Sequence, residues 1–208
     1  MERKRISRWM VVGFLLVGWY FPALAEEVQQ EVNLVINGSF EKGSSADGSF
    51  KEKTFYWSKD NGVRQSGICN VDNTTSTDGE KSLRIDSTIE AQFGHNRAVY
   101  QILNSNFRGK LKPSTEYILK ADIKRTTTKL FKKDYVSVNL LEKAEMGGKW
   151  KCHECGNKST KTNVWEHFEI RFKTKSKICR ATIYIYNKRS QGIAWFDNIV
   201  LEEISEVL

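Results

Sequence analysis

The chain is poor in proline and histidine, with two of the first and three of the second among its 208 residues. Pro22 closes an apolar run and Pro113 stands in a turn, so no proline-rich linker divides the sequence. His95, His153 and His167 have no nucleophile motif beside them. There is no G-x-S-x-G elbow, no Ser, His and Asp arrangement, no glycine-rich phosphate loop and no H-E-x-x-H pair. A pair of Asp or Glu residues about 5–10 Å apart, enough for glycoside cleavage, leaves no linear motif and stays open. From residue 33 onward apolar residues do not recur at helical spacing and no repeat of fixed period appears, which excludes a helical bundle and a solenoid. A dense basic stripe is missing too. Lys and Arg are scattered among acids except at Lys124-Arg125 and Lys132-Lys133, so a nucleic-acid partner is not expected.

What is present begins with Arg3, Lys4, Arg5 and Arg8 ahead of an almost uncharged apolar run from Trp9 to Leu24. The run ends in Ala23-Leu24-Ala25, small residues that suit a signal peptidase, and two acids follow. Residues 1–25 therefore read as a signal peptide, 26–32 as an extension, 33–204 as one β-sandwich domain and 205–208 as a tail. The alternative, a retained membrane anchor, is disfavoured because the run falls short of the ~20 apolar residues that span a bilayer. A secreted, periplasmic or cell-surface protein without stable membrane insertion is expected. Cleavage would remove four basic residues and one acid, leaving a net charge of +5 in place of +8.

Beyond residue 33 the text is a series of short period-two segments broken by Gly, Asn, Asp and Ser, the pattern of an all-β chain. Strands are expected over 34–40, 55–58, 63–70, 81–86, 97–103, 116–125, 135–142, 165–174, 181–187 and 194–202. The stretches 41–54, 73–80 and 146–162 read as loops. Alternation assigns faces: Tyr117, Leu119, Ala121 and Ile123 are apolar, and Lys120, Asp122 and Lys124 point the other way. Val136, Val138 and Leu140 behave alike, as do Phe168, Ile170 and Phe172. Strands with one buried face each need a second sheet, which makes a two-sheet sandwich.

Cys69, Cys152, Cys155 and Cys179 allow three disulfide pairings. A local Cys152–Cys155 bridge with Cys69–Cys179 across the sandwich is the favoured one, with free thiols open. Cys152-His153-Glu154-Cys155 is also half of a zinc ribbon, but a second knuckle is missing.

Asn37-Gly38-Ser39-Phe40-Glu41, then Trp57, Gly79-Glu80-Lys81-Ser82-Leu83, Val99-Tyr100-Gln101, the Pro113 turn into Tyr117, Trp165 and the closing Trp195-Phe196-Asp197-Asn198 occur in this order over most of the chain. Together they resemble the carbohydrate-binding modules of families four, nine, sixteen and twenty-two, a galactose-binding-like jelly roll. The C-H-E-C stretch is outside that pattern. The resemblance implies a structural calcium ion held by Glu41, Asp197 and the carbonyl of Gly79, hard oxygen donors of the kind calcium takes. The other reading of Glu41 and Asp197 is that they hydrogen-bond loop backbone.

Sugar recognition needs a flat apolar ring beside groups that bond hydroxyls. Period two sends Arg180, Tyr184 and Tyr186 away from the Ala181, Ile183 and Ile185 core side, and Tyr135 and Asn139 join them if their strand lies alongside; Asp122 and Lys124 are candidates for the same floor. Trp57, Trp165 and Trp195 read as core. Trp150, in a polar loop, is a candidate sugar platform. The expected protein is thus a non-catalytic exported module that binds a polysaccharide or glycan. A structural or adhesive protein-binding sandwich and a small glycan-active enzyme are the alternatives.

Overall fold

The computed structural model describes residues 33–43, 56–59, 68–88, 98–104, 110–127, 135–156, 161–188 and 192–204, all within the unit Glu31–Leu208. The proposed signal peptide lies outside them. Ten strands follow in chain order: β1 Ser58–Lys59, β2 Cys69–Asp72, β3 Ser82–Asp86, β4 Ala98–Asn104, β5 Glu116–Arg125, β6 Tyr135–Lys143, β7 Lys151–Cys155, β8 Glu166–Lys173, β9 Arg180–Lys188 and β10 Ile193–Glu203. They form two antiparallel five-stranded sheets, β1-β4-β9-β6-β7 and β2-β3-β10-β5-β8. The fold is an all-β jelly-roll sandwich.

The core lies where the alternation placed it. Tyr117, Leu119, Ala121 and Ile123 of β5 face Val136, Val138 and Leu140 of β6 and Ala181, Ile183 and Ile185 of β9, all fully buried. Phe168, Ile170 and Phe172 pack on this core from the edge strand β8 and stay half-buried.

The segment 34–40 is a turn, not the expected strand. Asn37 and Phe40 both have left-handed backbone, at φ 55° and 59°, which turns the chain out of the extended conformation at two places within four residues. Gly38 comes so close to β10 that a Cβ there would run into the carbonyl of Ile199. That close approach is what the glycine of the N-G-S-F motif supplies. The turn is fastened by Ile199 N–H to Gly38 O at 3.1 Å, Leu34 N–H to Leu201 O at 2.8 Å, and Leu201 N–H to the Asn33 side chain at 3.0 Å. Phe40 then drops into the core against Trp57, whose Nε1 donates to Asn37 O at 3.0 Å.

β7 was read as loop because its sequence, Lys-Cys-His-Glu-Cys, holds no aliphatic residue. His153 and Cys155 are its inward side chains. His153 stacks on Phe172 at 4.1 Å and pairs with buried Glu142 at 2.9 Å, so β7 bridges the two sheets at their open side. Glu142 also accepts from Lys175 N–H at 3.0 Å.

This strand geometry corrects the disulfide expectation. Cys152 is exposed and Cys155 buried, on opposite faces of one extended strand, where no bridge closes. All four cysteines are free. Burial pushes the thiols of Cys69 and Cys155 up to about 12, which leaves them protonated and unreactive in the folded chain.

Candidate functional site

Period two puts every second side chain of the first sheet on its outer surface. Register then decides which of them meet. Ser58, Tyr100, Tyr184, Asn139 and Glu154 stand opposite one another in a single row across β1, β4, β9, β6 and β7. Beside it, Tyr186 is paired with Ala98 and Ser137, and Thr182 with Ile102 and Leu141.

The tyrosines form a continuous strip. Tyr184 lies 5.4 Å from Tyr100 and 5.3 Å from Tyr186, the second pair within 13° of parallel. Tyr186 is nearly buried, and Tyr184 and Tyr100 are half-exposed. Beside this strip, Ser137 Oγ, Asn139 Oδ1 and Thr182 Oγ1 are buried without a hydrogen-bond partner among the described residues. Buried polar atoms normally have one, so these three are oxygens that only an internal water, or a shift of the side chains covering them, would satisfy. On the β1 side a cleft of about 390 Å³ continues past Tyr100, lined by Tyr56, Ser58, Ile102, Ile36 and Lys110.

Of the residues singled out in the sequence, Tyr184, Tyr186, Asn139 and Arg180 share this surface. Tyr135 opens β6 opposite Lys188. Trp150 immediately precedes β7 and is 43% exposed, with the Lys143 ammonium 4.9 Å and the Arg180 guanidinium 5.9 Å from its ring. Tyr100 and Lys143 were missed, although the parity of Tyr100 with Ile102 was a usable signal.

Asp122 and Lys124 belong elsewhere: β5 lies in the second sheet, so they do not floor this surface. Asp122 is not even on a wet face. It is buried under the 75–81 turn, accepting from the Thr77 hydroxyl at 2.8 Å and pairing with His167 Nδ1 at 2.7 Å. Trp165 and Trp195 are half-exposed on that same outer side, not in the core. Their indole N–H groups donate to Thr75 Oγ1 and Asp72 Oδ2.

The proposed calcium ligands converge on the same turn. Glu41 Oε1 accepts from Glu80 N–H and Lys81 N–H, both at 2.8 Å, and packs against Gly79, whose φ of 72° and lack of a Cβ make room for it. Asp197 Oδ2 accepts from Thr77 N–H at 2.6 Å and Asp78 N–H at 2.9 Å, and its Oδ1 from Asn198 N–H at 2.7 Å. Burial pushes the Asp197 carboxyl up despite these donors. The two carboxylates fit calcium in donor type, while among the described residues no three His, Cys, Asp or Glu side chains gather as a metal cluster. Further ligands would have to be backbone carbonyls.

The family model described as "Carbohydrate binding domain" matches residues 32–192. No curated protein matches the chain. Among solved structures, a family 16 carbohydrate-binding module superposes with a TM-score of 0.52 at 17% identity, covering 81% of this chain and 99% of its own. The CBM22-1 xylan-binding domain of Xyn10C from Paenibacillus barcinonensis gives 0.55 at 13% identity, covering 85% and 97%. The CBM22-2 domain of the same protein gives 0.50 at 10%, covering 78% and 98%.

Proposed function

The chain belongs to the carbohydrate-binding domain family, a family of non-catalytic modules, and from that premise we propose that it is exported and holds a polysaccharide on the tyrosine strip of the first sheet. The observation that carries the proposal is Tyr184, stacked on Tyr186 and tilted against Tyr100, with Asn139 directly across the strand pair. A row of rings offers flat apolar area to the C–H face of pyranose rings. The oxygens of Ser137, Asn139 and Thr182 beside the strip are covered, and meet hydroxyls or bridging waters only if the side chains over them shift. Neighbouring relatives in fold bind xylan by their names, which supports a β-linked plant or wall polymer as the first class to try.

The test is retardation of the protein in native gels cast with polysaccharides. Truncation of a central interface aromatic typically costs enough to weaken binding roughly ten- to thirtyfold. Tyr184→Ala is expected to lose retardation by that factor. A variant that is retarded as strongly as the parent sinks this face as the site.

Calcium belongs to the same proposal. Bound to Glu41 and Asp197, it would tie the 34–41 turn to β10 through the 77–81 turn. An ion that binds only the native state raises its stability by mass action, so EDTA should lower the melting temperature by several degrees and calcium should restore it. A melt indifferent to both leaves the N–H donors as the whole of the clamp.

A further inference from the structure

At one end of the tyrosine strip two cations stand side by side. Lys143 of β6 is the direct cross-strand partner of Arg180 of β9, on the same outer parity as Tyr184 and Asn139. Like charges directly opposite each other in a sheet are unfavourable. Here the two are gathered over one indole, Trp150, and Lys143 is only 9% exposed. Neither takes part in an ion pair among the described residues, although seven such pairs occur elsewhere.

Local acids do not resolve the excess. Glu142 points to the core and is already engaged by His153 and Lys175 N–H. Glu154, opposite Asn139, lies four β6 residues away from Lys143, ~13 Å along the strand. The arrangement holds a planar guanidinium suited to a two-oxygen acid, a second and largely covered cation beside it, and an exposed indole in contact with both. The same ~13 Å separates Arg180 from Tyr184, so a chain lying on the rings reaches it.

Resting on the reading of this face given above, we infer that the bound polysaccharide is acidic, and that Lys143 and Arg180 take a carboxylate or sulfate carried by the glycan while the tyrosines take its sugar rings.

The experiment measures binding of the full chain to polygalacturonate, dextran sulfate and neutral dextran at one ionic strength. Three variants accompany it: Lys143→Gln with Arg180→Gln, Tyr184→Ala, and Lys173→Gln, which removes a cation exposed on the second sheet. The acidic polymers should bind roughly tenfold or more tightly than neutral dextran, and the double variant should erase that margin. Lys173→Gln should leave it intact. A preference for polygalacturonate identifies the anion as a uronate, and a preference for dextran sulfate identifies a sulfate ester. The melting temperature of the double variant should hold or rise, since a repulsive pair is gone.

A loss in Lys173→Gln about half that of the double variant, in proportion to the one charge removed against two, would reduce the effect to net charge and overturn the inference. So would a double variant that melts early yet keeps its preference, because the cations would then serve only to pack Trp150. Binding that ignores charge in every variant but disappears in Tyr184→Ala overturns this inference and spares the face. Binding unaffected by Tyr184→Ala overturns both.

Discussion

Replacing Trp57 by alanine should remove about 3–5 kcal/mol of unfolding free energy, the range for truncating a large buried aromatic. The side chain is completely buried and packs 5.7 Å from the Phe40 ring. Its N–H also satisfies the carbonyl of Asn37, a residue held in left-handed backbone. The substitution therefore opens a cavity, orphans a carbonyl and frees a strained turn together. Against a typical total of 5–15 kcal/mol, that is a large share. Trp57→Phe keeps most of the ring and loses the N–H bond, so its cost should be nearer about 1–3 kcal/mol. Urea unfolding followed by circular dichroism measures both, and an alanine variant within about 1 kcal/mol of the parent would contradict this account of the turn.

Ile183→Ala should cost about 2–5 kcal/mol, whereas Tyr184→Ala, one residue on, should cost only what its ring contacts are worth, about 0.5–1.5 kcal/mol for each pair. Ile183 is fully buried in the middle of the first sheet, between Gln101 of β4 and Leu140 of β6. Tyr184 faces outward, half-exposed, between two other tyrosines. Stability should thus respond to the odd-numbered residues of β9 and glycan retention to Tyr184. Denaturant midpoints in the reverse order would mean that the inner and outer faces of β9 had been exchanged.

Legibility in the sequence followed what period two encodes. It separates the two sides of a strand, and the regular stretch 116–125 came out with its observed bounds and its core side correct. It says nothing of what lies over each side. Asp122 and Asn139 read as outward-facing and are buried, because the 75–81 turn lies over Asp122 and the tyrosine layer stands beside Asn139. Nor does it report which strands are neighbours. Tyr184 and Asn139 were placed on one surface on the condition that β6 and β9 adjoin, and they do. Asp122 and Lys124 were joined to them without such a pairing, and they sit in the other sheet. β7 escaped because histidine and cysteine carry its inward face, and 34–40 reads as a strand because its apolar residues cover a turn that is fastened to β10 by hydrogen bonds and a close glycine approach, neither of which shows in the sequence.

The order of strands in the second sheet has a kinetic consequence. Its middle strand, flanked by β3 and β5, is β10, the last to be synthesised, and the turn at residues 33–38 is also fastened to it. Until that strand arrives, β3 and β5 have no partner between them, and the earliest part of the domain has nothing to close on. Nearly every decisive contact spans a long stretch of chain, and loop-closure entropy must be met before those contacts form, so folding belongs to the slow millisecond-to-second class of β-sandwiches. The nascent chain therefore completes this sheet only after its C-terminal strand is free to dock, as a single late event.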